Sequence, residues 1–315
     1  MLALTEITPW HWGGFVGLIL IFLSLDLGVF HRDAHVVQFK EALLWTFVWF
    51  SVAMLFAATL YHWRSKEESL EFVTGYIIEL SLSMDNVFVI ALIFSYFRVP
   101  LLFQHRVLFW GILGALFMRG VMIGVGSALI GRFHWMLYVL GAFLVITGIK
   151  MIFSDEDGVH PEKNWVIRAA RKLFPVVTDF EGQKFLTHLN GRRALTPLAL
   201  VLLMVETTDL VFAVDSIHAI FAVTQNPFLV FTSNVFAILG LRSLYFVLAN
   251  AIGYFRYLKV GLSIVLVFIG GKMLVAKWDI QIPTVTSLVI VAAIIVLSVL
   301  LSIIATRRTQ GRTSA

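Results

Sequence analysis

The chain has 315 residues, of which 59% are hydrophobic and only 14% are charged, and its mean hydropathy is +0.90. A soluble globular domain does not need so many apolar residues, so the composition indicates a polytopic membrane protein. Cysteine is absent, which excludes disulfides and thiolate metal sites and leaves oxygen, imidazole and thioether donors.

Apolar windows of about 20 residues predict nine membrane-spanning helices. They lie near residues 12–30, 42–61, 71–97, 107–130, 134–153, 196–222, 228–254, 257–276 and 284–306. Lysine and arginine are concentrated in the segments that lie inside if the N-terminus faces outward, so the positive-inside rule predicts an N-out, C-in orientation. This bias of the loops explains the formal net charge of +5, and we expect no nucleic acid partner.

The one long loop, at about residues 154–195, mixes acidic and basic residues. Within it, Asn190-Gly191 predicts a tight hairpin turn between two short segments. In the simplest interpretation the loop is a solvated cytoplasmic linker, and the alternative is a regulatory or partner-docking element. Its Arg168, Arg171 and Lys172 would also suit the anionic headgroups of membrane lipid.

An internal repeat organises most of the remaining chain. Residues 79–86 and 209–216 share one pattern, which is an acid, five residues, a second acid and a small polar residue. The next span after each motif carries a central arginine, Arg119 or Arg242, and the third span of each unit has a glycine shortly before a Lys-Met pair. These features recur in the same order, so we predict two related three-helix units.

Because each unit has three helices, the second enters the membrane from the opposite side to the first, which makes an inverted repeat. The predicted organisation is two N-terminal helices (1–69), a first three-helix repeat (70–153), a cytoplasmic loop (154–195), a second, inverted repeat (196–277) and a C-terminal helix with a basic tail (278–315). The predicted fold class is therefore an all-α polytopic membrane protein of about nine transmembrane helices. Inverted repeats are typical of secondary transporters, whose sites lie near the midplane where discontinuous helices meet.

Six carboxylates fall inside the predicted spans, namely Asp26, Glu79, Asp85, Glu206, Asp209 and Asp215. A charged acid at the centre of a membrane costs about 2.5–3.5 kcal/mol on insertion scales, so such a group of acids indicates a functional site. They cannot all be ionised without a compensating cation, and we expect the site to alternate between protonated and metal-loaded states.

The two acids of each motif are six residues apart and point to different sides of an ideal helix. They converge only if the helix is broken between them, and broken helices are the hypothesis for both motifs. Hydroxyl side chains beside the acids would then satisfy the freed backbone groups. The hydroxyls available for this are those of Ser81, Ser83, Thr207 and Thr208.

Carboxylates combined with amide and hydroxyl oxygens make an all-oxygen ligand set, which suits hard divalent ions such as Mn²⁺, Mg²⁺ and Ca²⁺. The candidate ligands are Glu79, Asp85, Asn86, Glu206, Asp209, Asp215 and Ser216. Candidates for a supporting role or a proton path are Asp26, Ser83, Arg119, Thr208, His218 and Arg242. In the alternative interpretation the acids only pair with the two central arginines and lock the bundle, although the acids outnumber the arginines.

In these motifs the chain resembles the TerC family, in particular its Alx-type members, which are bacterial inner-membrane proteins associated with manganese export and tellurium resistance. The resemblance covers essentially the whole chain and is carried by Glu79–Phe88, Val205–Ile217, Thr232–Asn234, Phe236–Arg242 and Phe268–Met273. The chain departs from the family pattern at two positions, which are His218, where proline is common, and Asn226, where aspartate is common.

The resemblance implies a multi-pass exporter of manganese in the bacterial inner membrane, in which the five acids of the two repeat units bind or pass the ion. We expect exchange for protons, with Mn²⁺ as substrate and no resident cofactor, in contact with membrane lipid and open to association as a homo-oligomer. No enzyme activity is expected, since the Gly-x-Gly-Asp and His-Glu-x-x-His patterns of intramembrane hydrolases do not occur. The alternatives are a membrane scaffold in metal or tellurite stress and an exporter of another divalent cation such as Ca²⁺.

Overall fold

The computed structural model describes residues 7–25, 38–133, 135–153, 164–189, 191–249, 258–275 and 282–313. These residues form α1 (Pro9–Leu25), α2 (Phe39–Trp63), α3 (Lys66–Tyr96), α4 (Leu101–Arg132), α5 (Met136–Phe153), α6 (Trp165–Leu173), β1 (Leu186–Leu189), β2 (Arg192–Leu195), α7 (Pro197–Phe221), α8 (Pro227–Ala249), α9 (Leu258–Val275) and α10 (Thr284–Thr313). Nine of these helices overlap the nine predicted spans, although their ends differ by several residues, and α6 is an addition to them. The candidate acid Asp26 lies outside the described residues.

The helices confirm an all-α polytopic membrane protein. Within the described residues six of them, α2, α3, α4, α7, α8 and α10, are long and apolar enough to cross a membrane. The shorter apolar helices α1, α5 and α9 account for the other predicted spans. The central helix is α8, because 89% of its apolar window is buried inside the protein, whereas only 17% is buried in the peripheral α10.

The described part of the long loop is folded and is not a featureless linker. The hairpin predicted at Asn190-Gly191 is confirmed, since Leu189 pairs with Arg192 across the antiparallel strands β1 and β2. Thr196 follows β2 directly, and its Oγ1 accepts a hydrogen bond from the backbone amide of Ala199 at 3.3 Å, which caps the start of α7. The hairpin thereby holds the first turn of the helix that carries the second acid motif.

The first helices of the two predicted units, α3 and α7, run in opposite directions. Asn86 donates a hydrogen bond from Nδ2 to Oδ1 of Asp209 at 3.0 Å. Glu79, which comes earlier on α3, is joined to Ser216, which comes later on α7, because both accept hydrogen bonds from Nη1 of Arg119. Early residues of one helix therefore meet late residues of the other.

The third helices of the units, α5 and α9, also run antiparallel and approach until their backbones touch. A Cβ atom at Gly270 would lie 2.6 Å from the carbonyl oxygen of Gly141, and one at Gly148 would lie 2.8 Å from the carbonyl oxygen of Ser263. Small residues allow this approach, as in other closely packed membrane helices. Antiparallel pairing of corresponding helices is the geometry that an inverted repeat requires; the repeat, its boundaries and the N-out orientation stay predictions.

The hypothesis of broken helices is wrong. Both α3 and α7 run through their acid motifs without interruption. The hydroxyls of Ser81 and Thr208 donate to the carbonyl oxygens of Ile77 and Met204, one turn earlier in the same helix, at 2.6 and 2.7 Å. These bonds add to an intact backbone ladder and replace none of it. A break is unnecessary because the acids that meet come from facing helices.

The contact between α5 and α9 yields a prediction with a neighbouring control. Replacing Gly270 by alanine forces a methyl group against the Gly141 carbonyl, and we expect a loss of about 1–3 kcal/mol in the free energy of unfolding, as is usual for overpacking. The same change at Gly271, where a Cβ atom would meet nothing within 4 Å, should have little effect. Thermal unfolding of the purified variants in detergent measures both. Equal melting temperatures would contradict the close approach.

Candidate functional site

Arg119 on α4 is the centre of a buried ion network. Its side chain is 1% exposed and reaches acids on both facing helices. Nη2 and Nε donate to the two carboxylate oxygens of Asp209 on α7 at 2.8 and 3.2 Å, which makes a bidentate pair. Nη1 donates to Oε1 of Glu79 on α3. One guanidinium group therefore ties α3, α4 and α7 together.

Small polar side chains complete this network. Asn86 donates to Asp209, as described above, and Ser216 accepts from the guanidinium at 3.4 Å. Ser83 donates from Oγ to Oε1 of Glu79 at 3.4 Å. In each motif, the first acid and the small polar residue at the end of the pattern thus belong to one network. The acid motifs of the two predicted repeat units therefore meet in this network.

A cavity of about 40 Å³ lies beside the network. Its lining consists of Glu79, Leu82, Ser83, Asn86, Arg119, Met151, Phe212, Asp215, Ser216 and Leu266. One water molecule needs about 10–15 Å³ by the same measure, so the cavity can hold a few waters or an ion that keeps part of its hydration. The polar lining comes from α3, α4 and α7, while α5 and α9 contribute apolar side chains.

Three oxygens of this lining are buried and receive no hydrogen bond from the described residues. They are Oε2 of Glu79, Oδ1 of Asn86 and Oδ1 of Asp215. Thr147 on α5 lies close to the carboxylate of Asp215. Buried acceptors without a donor are costly in a protein interior. The cavity is therefore suited to a cation or to a group that carries a proton.

Glu206 occupies a different position, one turn before Asp209 on α7. Its carboxylate lies against Gly114 on α4, in space that a Cβ atom at that position would overlap. Oε2 of Glu206 is buried and receives no hydrogen bond from the described residues. Because Glu206 is not part of the cavity lining, the structure separates it from Glu79 and Asp215.

The other candidate residues lie away from this cavity or cannot be placed. Thr208 donates its hydroxyl to its own helix, His218 packs edge-on against Phe143 with ring centres 5.7 Å apart, and Arg242 is buried on α8. None of the three candidates lines the cavity. Asp85 is helical within α3, and its side chain lies outside the described part of the structure.

Among the side chains that the structure describes, no three acidic or imidazole groups lie close enough together to hold a metal ion by themselves. A cation beside Glu79 and Asp215 would therefore need further oxygens, from the amide of Asn86, from hydroxyl groups or from water. This donor set contains only oxygen. It fits a hard divalent ion better than a soft one.

Besides the apolar side chains of the cavity lining, two contributors to the site are not among the residues predicted from the sequence. Thr147 directly precedes Gly148, in the segment where the third spans of the two units resemble each other, and that likeness was a usable signal. Gly114 is one of several glycines in α4, and no pattern distinguishes it from the others. Only the structure shows that Gly114 makes room for Glu206.

Together, the helices and the buried ion network define a multi-pass integral membrane protein with a polar site inside its bundle. The sequence profile described as "Integral membrane protein TerC family" matches residues 64–310. The chain therefore belongs to the TerC family, and the resemblance seen in its motifs is confirmed.

Curated relatives are similar over nearly the whole chain. The chain is 51% identical over 300 residues to "Uncharacterized membrane protein STKORF319" of Myxococcus xanthus, which covers 95% of this chain and 94% of that protein. It is 44% identical over 304 residues to "Putative membrane-bound redox modulator Alx" of Escherichia coli (strain K12), which covers 94% of both chains. No solved structure matches the chain.

Removal of the central guanidinium should destabilise the protein. In Arg119→Met, Glu79 and Asp209 stay buried without their counter-ion, and loss of one partner from a buried ion pair costs about 3–5 kcal/mol. Thermal unfolding in detergent should show a lower melting temperature. Adding Asp209→Asn to the same chain removes one of the two stranded charges and should recover part of the loss. A double variant less stable than the single one would contradict the network.

Proposed function

We propose that this protein exports a divalent cation, Mn²⁺ in the first place, across the bacterial inner membrane in exchange for protons. The proposal rests on the three unpartnered oxygens of Glu79, Asn86 and Asp215 around a cavity inside a membrane-spanning bundle. Charged acids inside a membrane-spanning bundle are energetically costly, and binding of a transported cation would explain their presence there. The choice of Mn²⁺ over Ca²⁺ comes from the family resemblance, because both ions accept carboxylate oxygens.

Arg119 divides the acids of the site into two groups. The guanidinium holds Asp209 through both oxygens and Glu79 through Oε1. Asp215 and the second oxygen of Glu79 face the cavity and are left for the ion. The fixed positive charge thus stabilises two carboxylates without occupying the place where the cation would bind. It also limits the negative charge that the empty site must carry.

Glu206 lies on the side from which an exported ion would enter. The start of α7 is predicted to be cytoplasmic, and Glu206 precedes Asp209 by three residues, which places it about 4.5 Å nearer that side. Gly114 leaves space for its carboxylate against α4. In this proposal Glu206 receives the ion from the cytoplasm and passes it toward the cavity.

Proton exchange follows from the cost of unbalanced charge within the membrane. When the cation leaves, the carboxylates that it contacted lose their counter-ion, and protons would neutralise them. Metal-loaded and protonated states then alternate, and the inward proton gradient drives export. Access from alternate sides would come from movement of one three-helix unit against the other, as in other transporters with inverted repeats.

The name of the Alx relative describes that protein as a redox modulator. The present chain contains no cysteine, so thiol–disulfide exchange within it cannot provide such a role. Export of a redox-active cation such as Mn²⁺ would change the redox state of a cell without any thiol in the transporter. A redox phenotype is therefore compatible with cation export.

Transport of Mn²⁺ by the purified protein in proteoliposomes, or by everted vesicles, tests the proposal. Asp215→Asn and Asp85→Asn should each reduce the rate roughly tenfold or more, because even supporting residues of metal sites are worth about 10–100-fold. Asp179→Asn is the matched control, since this acid is exposed in the long loop. It should transport Mn²⁺ at the native rate.

An imposed pH gradient should change the native rate, and a rate that does not respond would rule out proton exchange. If Asp215→Asn and Asp85→Asn both transport Mn²⁺ at the native rate, the ion site lies elsewhere in the protein. Transport of Ca²⁺ in preference to Mn²⁺ would support the alternative cation. If cells need the long loop but not the acids for metal or tellurite tolerance, the scaffold hypothesis is the better one.

The role of Glu206 can be tested through Gly114. In Gly114→Ala the new methyl group displaces the Glu206 carboxylate, which is the end of a flexible side chain, so we expect transport to fall while the melting temperature changes little. Gly124→Ala is the control on the same helix, because a Cβ atom there meets nothing within 4 Å. Rates in proteoliposomes and melting temperatures in detergent give both readouts. If Gly114→Ala transports Mn²⁺ at the native rate, Glu206 is not part of the ion path.

A further inference from the structure

Helix α6 lies outside the membrane-spanning bundle but is fixed to it. Asn164 caps α6 by accepting hydrogen bonds from the backbone amides of Val166 and Ile167 at 2.9 and 3.2 Å. The Nδ2 atom of Asn164 also lies 3.3 Å from Sδ of Met204 on α7. Ile167 is 1% exposed and packs in the same hydrophobic core as the first turns of α7. One side of α6 is therefore held by the protein.

The free sides of α6 are of two kinds. Trp165 and Leu173 are 69% and 74% exposed, and on an ideal helix they lie about 80° apart, so they form one apolar edge. Arg168, Arg171 and Lys172 are exposed as well and occupy the adjoining sector. A short helix with an apolar edge, a basic edge and an exposed tryptophan is typical of a helix that lies in the interface of a membrane.

Its attachment to α7 places α6 at the depth of that interface. α7 has 25 residues, so it is about 37 Å long and exceeds a hydrocarbon core of about 30 Å by several ångströms. Met204, which Asn164 contacts, lies only about 10 Å along α7 from its first residue. With the excess length shared between the two ends of α7, the contact falls about 7 Å inside the hydrocarbon boundary, which is within the depth that an interfacial helix occupies. At this depth, the apolar edge of α6 would face lipid.

We propose that α6 is a membrane-surface helix that binds the anionic headgroups of the adjacent leaflet. Tryptophan is favoured at the membrane interface, and basic side chains are attracted to anionic lipid. A soluble partner would have to cover Trp165 and Leu173 at a level where lipid already surrounds the bundle. Charge and position both favour lipid as the occupant.

Because the chain has no cysteine, one introduced cysteine gives a single labelling site. Leu173→Cys, carrying an environment-sensitive fluorophore, is placed in phosphatidylcholine nanodiscs with and without phosphatidylglycerol, and quenching by neutral acrylamide is measured. We expect less quenching with phosphatidylglycerol and loss of this protection at high salt. Changing Arg168, Arg171 and Lys172 to glutamine should shift the docking equilibrium roughly a hundredfold toward the undocked helix.

The matched control removes the same number of charges from β2 and from the residues just before β1, by changing Lys184, Arg192 and Arg193 to glutamine, and it should keep the protection. Equal quenching in the two kinds of nanodisc would overturn the proposal. So would equal loss of protection in the two triple variants, because the attraction would then be general. Protection that appears only after soluble proteins are added would assign α6 to a protein partner and also overturn it. The readout does not involve transport and is independent of the proposed function.

Discussion

The structure depends on the ion network around Arg119. Glu79 and Asp209 place two acids in the interior of a membrane bundle, where an unpaired carboxylate is energetically costly. The guanidinium between them supplies the positive charge that offsets this cost. Because these acids lie on α3 and α7, the same contact fixes how the two motif-bearing helices face each other. The cavity follows from that position, since it opens beside the network and Asp215 reaches it from further along α7.

The antiparallel packing of α3 and α7 also explains the shared sequence pattern. The first acid of each motif and the small polar residue are seven residues apart, close to two full turns, so they share a face of one helix. When two such faces oppose each other in reverse, Glu79 comes near Ser216 and Asp209 comes near Asn86, as observed. The spacing of seven thus has a direct structural meaning, whereas the spacing of six led to the wrong expectation of broken helices.

The sequence predicts the helices better than it predicts their contacts. The nine apolar helices were predictable because burial in lipid requires long apolar segments. The hairpin was predictable because few residues other than glycine adopt the φ of +77° found at Gly191. Helix α6 was not predicted because it has only nine residues and is amphipathic rather than apolar. The sequence could not show which acids pair with Arg119, because spacing along one helix does not reveal which residues of a neighbouring helix face that helix. The space that Gly114 leaves for Glu206 is hidden for the same reason.

A purely structural role would account for Asp209, both of whose oxygens Arg119 holds, but not for Asp215 or Glu206. Each of the latter has a buried oxygen that receives no hydrogen bond from the described residues. Apolar side chains of similar size would avoid that cost and would pack at least as well. Under the proposed function these two acids lower stability while no ligand is bound, and a charge that is bound only part of the time would explain their presence. A cation that arrives and leaves is such a charge, whereas a packing partner is permanent.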